Sequence, residues 1–110
     1  MAAYSEITIE QGATFSSTVT VEDVYGTAVN LSSHSASSMM RKSYHSITAI
    51  IITATVTGTS NGEITISIPA ANTANITAGR YVYDLVIEDN ANTVTRVVEG
   101  IATVLPSVTR

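Results

Sequence analysis

The stretch 79-GRYVYDLVIEDNANTVTRVVEGIATVLPSVTR-110 decides the fold. Tyr81, Tyr83, Leu85 and Ile87 fall on one side of a period-two repeat, the signature of a β-strand. A second alternating run, Thr93 to Leu105, follows the turn-forming Asp89-Asn90-Ala91-Asn92. Together they read as a hairpin that closes a sheet, and neither run carries a catalytic pattern. Val82 and Val86 make the opposite side of the first run partly apolar as well. That fits a central strand, or a strand with one face covered by a partner. The alternation of the second run slips around Glu99-Gly100, which predicts a bulge or a switch between sheets.

Working outward, the same period recurs. Ser5 to Glu10 reads as a short strand with Ile7 and Ile9 on one face, broken by Gln11-Gly12. Ala13 to Glu22 puts Phe15, Val19 and Val21 inward and Ser16, Thr18 and Thr20 outward. Tyr25-Gly26 marks a turn before a brief edge segment at Thr27 to Leu31. The serine-rich Ser32 to Ser38 leads into a strand at Ala36 to Tyr44. Ile47 to Thr57 alternates again, and Ser60-Asn61-Gly62 is a strong turn signal before Glu63 to Ile68. Only Pro69 to Ile76 departs from the pattern. Pro at a first helical position, with Ala and Ile at helical spacing, predicts one helical turn near 70–76 that Gly79 ends. The expected fold is all-β, a single domain over 1–110. Seven to eight antiparallel strands at this spacing point to an immunoglobulin-like β-sandwich.

Composition narrows the function classes. The chain has 110 residues, enough for one two-layer core. Charged residues are only 13% of it, about half the usual share, and Thr and Ser take their place. The net charge is −4 and the five basic residues (Arg41, Lys42, Arg80, Arg96, Arg110) are dispersed apart from one adjacent pair, so no nucleic-acid interface is expected. Ile50-Ile51-Ile52 is far short of a membrane span, and no membrane partner is expected. The opening MAAYSEITIEQGA has neither a charged n-region nor an apolar h-region, which predicts no signal peptide. With no cysteine, disulfides and thiolate metal sites are excluded.

The chemistry-bearing residues give little. His34 and His45 are the only histidines, and neither has the neighbours a zinc site needs. The chain lacks the G-x-S-x-G elbow of a serine hydrolase and any glycine-rich phosphate loop. Glu88, Asp89, Asn90 and Asn92 could face a Ca²⁺ ion, but their spacing is not that of an EF-hand and turn chemistry is favoured. Thr53, Thr55, Thr57 and Thr59 form a ladder that invites an ice-binding reading. Without an internal repeat, an ordinary wet sheet face is favoured. The sequons at Asn30 and Asn75 read as accidental. The chain is therefore expected to be non-catalytic and to need no cofactor or metal. Tyr4, Tyr25 and Tyr44, near strand ends or loops, are the candidate interface residues; Tyr81 and Tyr83 are expected in the core.

Several segments carry a family resemblance. They are Ile9-Glu10-Gln11-Gly12-Ala13-Thr14-Phe15, the Gly26 to Leu31 segment, and the strand Met40-Arg41-Lys42-Ser43-Tyr44. Asn61 to Asp84 and the closing VTRVVEGIATVLPSVTR complete the set. The chain resembles small virion structural proteins of tailed phages, especially the T4-like phages of cyanobacteria. Its layout is similar to the β-sandwich domains of baseplate and receptor-binding-apparatus proteins. The resemblance covers nearly the whole chain, but its motifs are structural punctuation. It implies a virion component, in the tail or baseplate, assembled in the host cytoplasm. The partners it implies are other virion proteins or copies of the chain itself, which leaves a homo-oligomer open. The alternatives are a capsid decoration protein or a carbohydrate-binding module. The latter would ordinarily present Trp platforms, and this chain has no Trp.

Overall fold

The computed structural model describes residues 3–22, 25–43 and 45–108. It is all-β, with one four-residue helix. The strands are β1 (Ala3–Tyr4), β2 (Ile7–Glu10), β3 (Phe15–Thr20), β4 (Ser35–Arg41), β5 (Ile50–Gly58), β6 (Glu63–Ile68), β7 (Gly79–Glu88) and β8 (Val94–Leu105). The hydrogen-bonded path runs β1-β8-β7-β4-β5-β6-β3, with β2 also on β8. Less and more buried positions alternate as the period-two reading predicts, most clearly in β6 and β7, and in β8 from Val97 onward.

Two features bend this path into a nearly closed barrel. First, β5 changes partner along its length: Ile50 to Ile52 pair with β4, and Thr53 to Gly58 pair with β6. Second, the four residues 11–14 join β2 at one end of the path to β3 at the other. The two ends therefore lie close but unpaired, and a cleft of about 440 Å³ opens between them.

The expected all-antiparallel arrangement does not hold. β1 and β2 run parallel to β8, with Tyr4 opposite Glu99 and Ile9 opposite Val104. They form one interrupted strand. At Ser5 the backbone lifts over Gly100, and the Ser5 N–H donates to the Glu99 carbonyl at 2.9 Å. Other local expectations also shift. The segment 27–31 makes a single bridge, Glu22 to Ala28, rather than a strand. Leu31 instead plugs the core, its N–H on the Thr59 carbonyl at 2.8 Å. The slip in the last strand sits at Val97, since Leu85 faces Val98 while Val86 faces Arg96. The helical turn is α1 (Ala70–Thr73), with Pro69 at its N-cap, and Gly79 opens β7 rather than ending the helix.

Ile9, Leu31, Met40, Ile52, Ile64, Ile66, Ile68, Leu85 and Val104 are fully buried and come from both ends of the path. Each such side chain contributes roughly 1.5–3 kcal/mol through the area it removes from water. Tyr81 and Tyr83 are buried beside them, as expected. Each satisfies its hydroxyl on a backbone carbonyl: Tyr81 on Thr77 at 2.6 Å and Tyr83 on Ser5 at 2.8 Å.

Burial pushes the Tyr83 phenol above its ordinary value of 10.0; the Ser5 side chain pulls the other way and Tyr4 adds a further push upward. A raised pKa in the folded state means the unfolded chain ionises first. The stabilisation is thus intact below the ordinary phenol value and is lost as pH climbs through the folded one. Tyr83→Phe is expected to cost about 1 kcal/mol at neutral pH by removing the bond to Ser5. It should also flatten the loss of stability above about pH 10. Thermal melts across an alkaline pH series check both effects.

Candidate functional site

The outer face of β4, β5, β7 and β8 holds the richest arrangement of side chains. Strand registers line up one row across it: Ile51, Met39, Asp84, Glu99 and Tyr4. Ile51 is 68% exposed, Tyr4 64% and Met39 41%, so three large apolar side chains meet solvent in a single row. A second row sets Arg41 beside Val82 and Ile101, and a third sets Ser37 beside Val86 and Arg96. Between them lies a shallow hollow of about 330 Å³ whose lining includes Ser37, Met39, Arg41, Val82, Asp84, Val86 and Arg96.

The bulge in β8 shapes this surface. It sets two residues, Arg96 and Val97, against one position of β7, and so re-aims Arg96 over the face. Arg96 reaches Asp84 (Nε to Oδ2, 3.4 Å) and Glu99 (Nη1 to Oε2, 3.2 Å). All three side chains are 38–51% exposed, so these pairs contribute well under about 1 kcal/mol to stability. Their effect is placement: a guanidinium and two carboxylates lie next to one another among apolar neighbours. Arg41 is similarly placed, donating to the Ser46 carbonyl at 2.8 Å. Beneath the face, buried Ser38 donates to the Asp84 carbonyl at 2.6 Å. Apolar contact area framed by charges is suited to packing against another protein surface.

The tyrosines singled out from sequence are not gathered here. Tyr4 stands at the edge of the face, opposite Glu99. Tyr25 lies in the turn after β3, 88% exposed and on a different element. Tyr44 lies outside the described residues. Sequence reading missed Met39, Ile51 and Arg96. The available signal was the two-faced apolarity of β7, which marks it as central; the strands beside it then had to supply the rest of the face.

The other candidates resolve locally. The Asp89 carboxylate accepts from the Ala91 and Thr93 N–H groups at 2.9 and 3.0 Å, which is turn chemistry. Asn92 takes a positive φ of 65° in the same turn. His34 Nδ1 is 3.0 Å from the Ser32 carbonyl, and His45 is exposed. Among the described residues no three His, Cys, Asp or Glu side chains come together as metal ligands. The threonine ladder of β5 joins a wider hydroxyl face: Thr55 pairs with Thr65, which pairs with Thr18. Thr57 Oγ1 lies 3.1 Å from Thr65 Oγ1. No family model matches the chain, and no curated protein is significantly similar to it.

Proposed function

We propose that this chain is a non-catalytic structural module of a tailed-phage particle, placed in the tail or baseplate and working through protein–protein packing. The observation that carries the reading is the exposed row Ile51, Met39 and Tyr4, crossing the sheet beside the charges of Asp84, Arg96 and Glu99. Large apolar side chains aligned on one face mark an interaction surface more often than isolated ones do. The low charge content and the hydroxyl-rich opposite face suit a protein packed among neighbours. The family resemblance of the sequence supplies the particle.

The finer fold belongs to the same reading: an immunoglobulin-like sandwich. Its support is the strand order, with β2-β8-β7-β4 as one layer and β5-β6-β3 as the other, joined where β5 crosses between them.

Antibody raised against the purified chain tests the assignment by electron microscopy of intact particles. Label on the tail or baseplate is the expected result. Label on the capsid shell would move the protein to decoration, and particles without label would overturn the reading. Met39→Lys with Ile51→Lys should leave the melting temperature unchanged and sharply reduce incorporation into particles.

A further inference from the structure

We infer that a second copy of this chain pairs with the free edge of β3, forming a closed two-fold dimer through antiparallel strand addition. β3 ends the hydrogen-bonded path and, among the described residues, pairs only with β6, through an unbroken register from Phe15 to Thr20. Its N–H and C=O groups alternate sides. The Val21 N–H donates to Gly62 on the β6 side at 2.7 Å, and its carbonyl accepts from the Val29 N–H at 2.9 Å, so the odd-numbered residues of β3 face β6. Ser16, Thr18 and Thr20 therefore turn their backbone groups away from β6, towards an edge to which no described strand hydrogen-bonds and which β2 faces only across the open cleft.

Folded proteins commonly blunt such an edge with charge, proline or a bulge. The other free edge follows that rule, since β1 and β2 are interrupted at Ser5 and carry exposed Glu6 and Glu10. β3 does not: no charged residue or proline occurs from Ala13 to Val21. No described segment hydrogen-bonds to it, because the N-terminal strand is committed to β8 and the Glu22–Ala28 bridge lies beyond its end.

The edge is also self-complementary. With the two-fold axis at Thr18, Ser16 meets Thr20 of the second copy and Thr18 meets its own counterpart. All three outward positions then form hydrogen-bonded pairs. Inward residues stay inward in both copies, and no like charges face each other. Thr–Thr and Thr–Ser pairs across antiparallel strands are favourable. Because the same patch serves both copies, the contact closes at two. Pairing of β3 with β2 of another copy would instead propagate, and Glu6 and Glu10 guard against it.

The inference rests on the assembly reading only for its biological setting. It is tested on purified protein, so the particle-labelling result does not decide it. Native mass spectrometry over a concentration series is expected to show a mass that doubles and goes no further. Thr18→Pro removes an N–H that the internal ladder does not use, and Thr18→Lys adds the missing guard; each should remain monomeric with an unchanged circular dichroism spectrum. Hydrogen exchange of the unmodified chain is expected to show Ser16, Thr18 and Thr20 amides becoming protected as concentration rises. A monomer at every concentration, an open series of oligomers, a dimer that survives both substitutions, or edge amides that stay unprotected would each overturn the proposal.

Discussion

Gly100→Ala is expected to lower the stability of the domain by about 3 kcal/mol, which for a chain of this size shifts the melting temperature by roughly 12 °C. A Cβ at Gly100 would collide with the Ser5 carbonyl oxygen and sit 2.8 Å from its carbonyl carbon. Both are backbone atoms, so no side-chain rotation relieves the contact. Either β8 distorts or the N-terminal strand lifts. Lifting is the softer response, and it removes the bonds that hold Ser5: its N–H on Glu99 and its carbonyl on the Tyr83 hydroxyl. The buried Tyr83 oxygen then loses its partner, and Ile9, fully buried one strand further on, is pulled at. Calorimetry gives the magnitude. Hydrogen exchange should show amides of residues 3–10 opening first, while β5 and β6 keep their protection. A variant that melts with the wild type would mean that the N-terminal strand does not seat on β8 as described.

Gly100 also shows where sequence reading succeeds and where it stops. The slip of pattern around Glu99-Gly100 was visible, but its cause was not. The register break is two residues earlier, and the glycine is needed because a parallel strand crosses above it. Local periodicity reports which face of a strand is buried, since burial repeats every two residues. It carries no record of which strand lies alongside. That is why Tyr81, Tyr83, Leu85 and Ile87 were placed correctly from the sequence, while the parallel pairing of Ile9 with Val104 was not. Leu31 makes the same point. It reads as the end of an edge strand, yet it is buried through a loop that descends between Val21 and Thr59.

The candidate face was half legible for a related reason. Val82 and Val86 announced a second apolar side to β7. Met39 and Ile51 looked unremarkable, because each has a hydrophobic neighbour, Met40 or Ile52, that takes the core position. In β5 the alternation of Ile50, Ile52, Ala54 and Val56 with the threonines already turns Ile51 outward. The pair Met39-Met40 has no such apolar alternation around it, and the registers of β4 with β5 and β7 settle that Met40 faces the core and Met39 faces out. Tyrosines at predicted strand ends were a weaker guide to the face than the unpaired members of apolar runs.

Thr73→Val is expected to cost about 2 kcal/mol, whereas Thr73→Ser should stay within about 1 kcal/mol of wild type. Thr73 is fully buried although polar, and it sits in the only helical turn of the described chain. Its hydroxyl accepts from the Gly12 N–H at 3.1 Å and donates to the Ala13 carbonyl at 2.8 Å, with the Ala70 carbonyl also within 3.1 Å. Gln11 works beside it: its amide nitrogen donates to the Ile76 carbonyl at 2.6 Å and its amide oxygen accepts from the Ser107 N–H at 3.1 Å. The turn 11–14, which swings the chain from one end of the strand path to the other, is thus tied down by side chains in addition to the Gln11 N–H on the Leu105 carbonyl at 3.0 Å. Valine keeps the shape of threonine but leaves the Gly12 N–H and the Ala13 carbonyl without that partner. Serine keeps the oxygen and loses only a methyl group. If both variants lose the same stability in chemical denaturation, the buried methyl matters more than the hydroxyl. If valine alone is costly, the connection from β2 to β3 is secured at this point by hydrogen bonds, with the two strands held on either side of the cleft without pairing to each other.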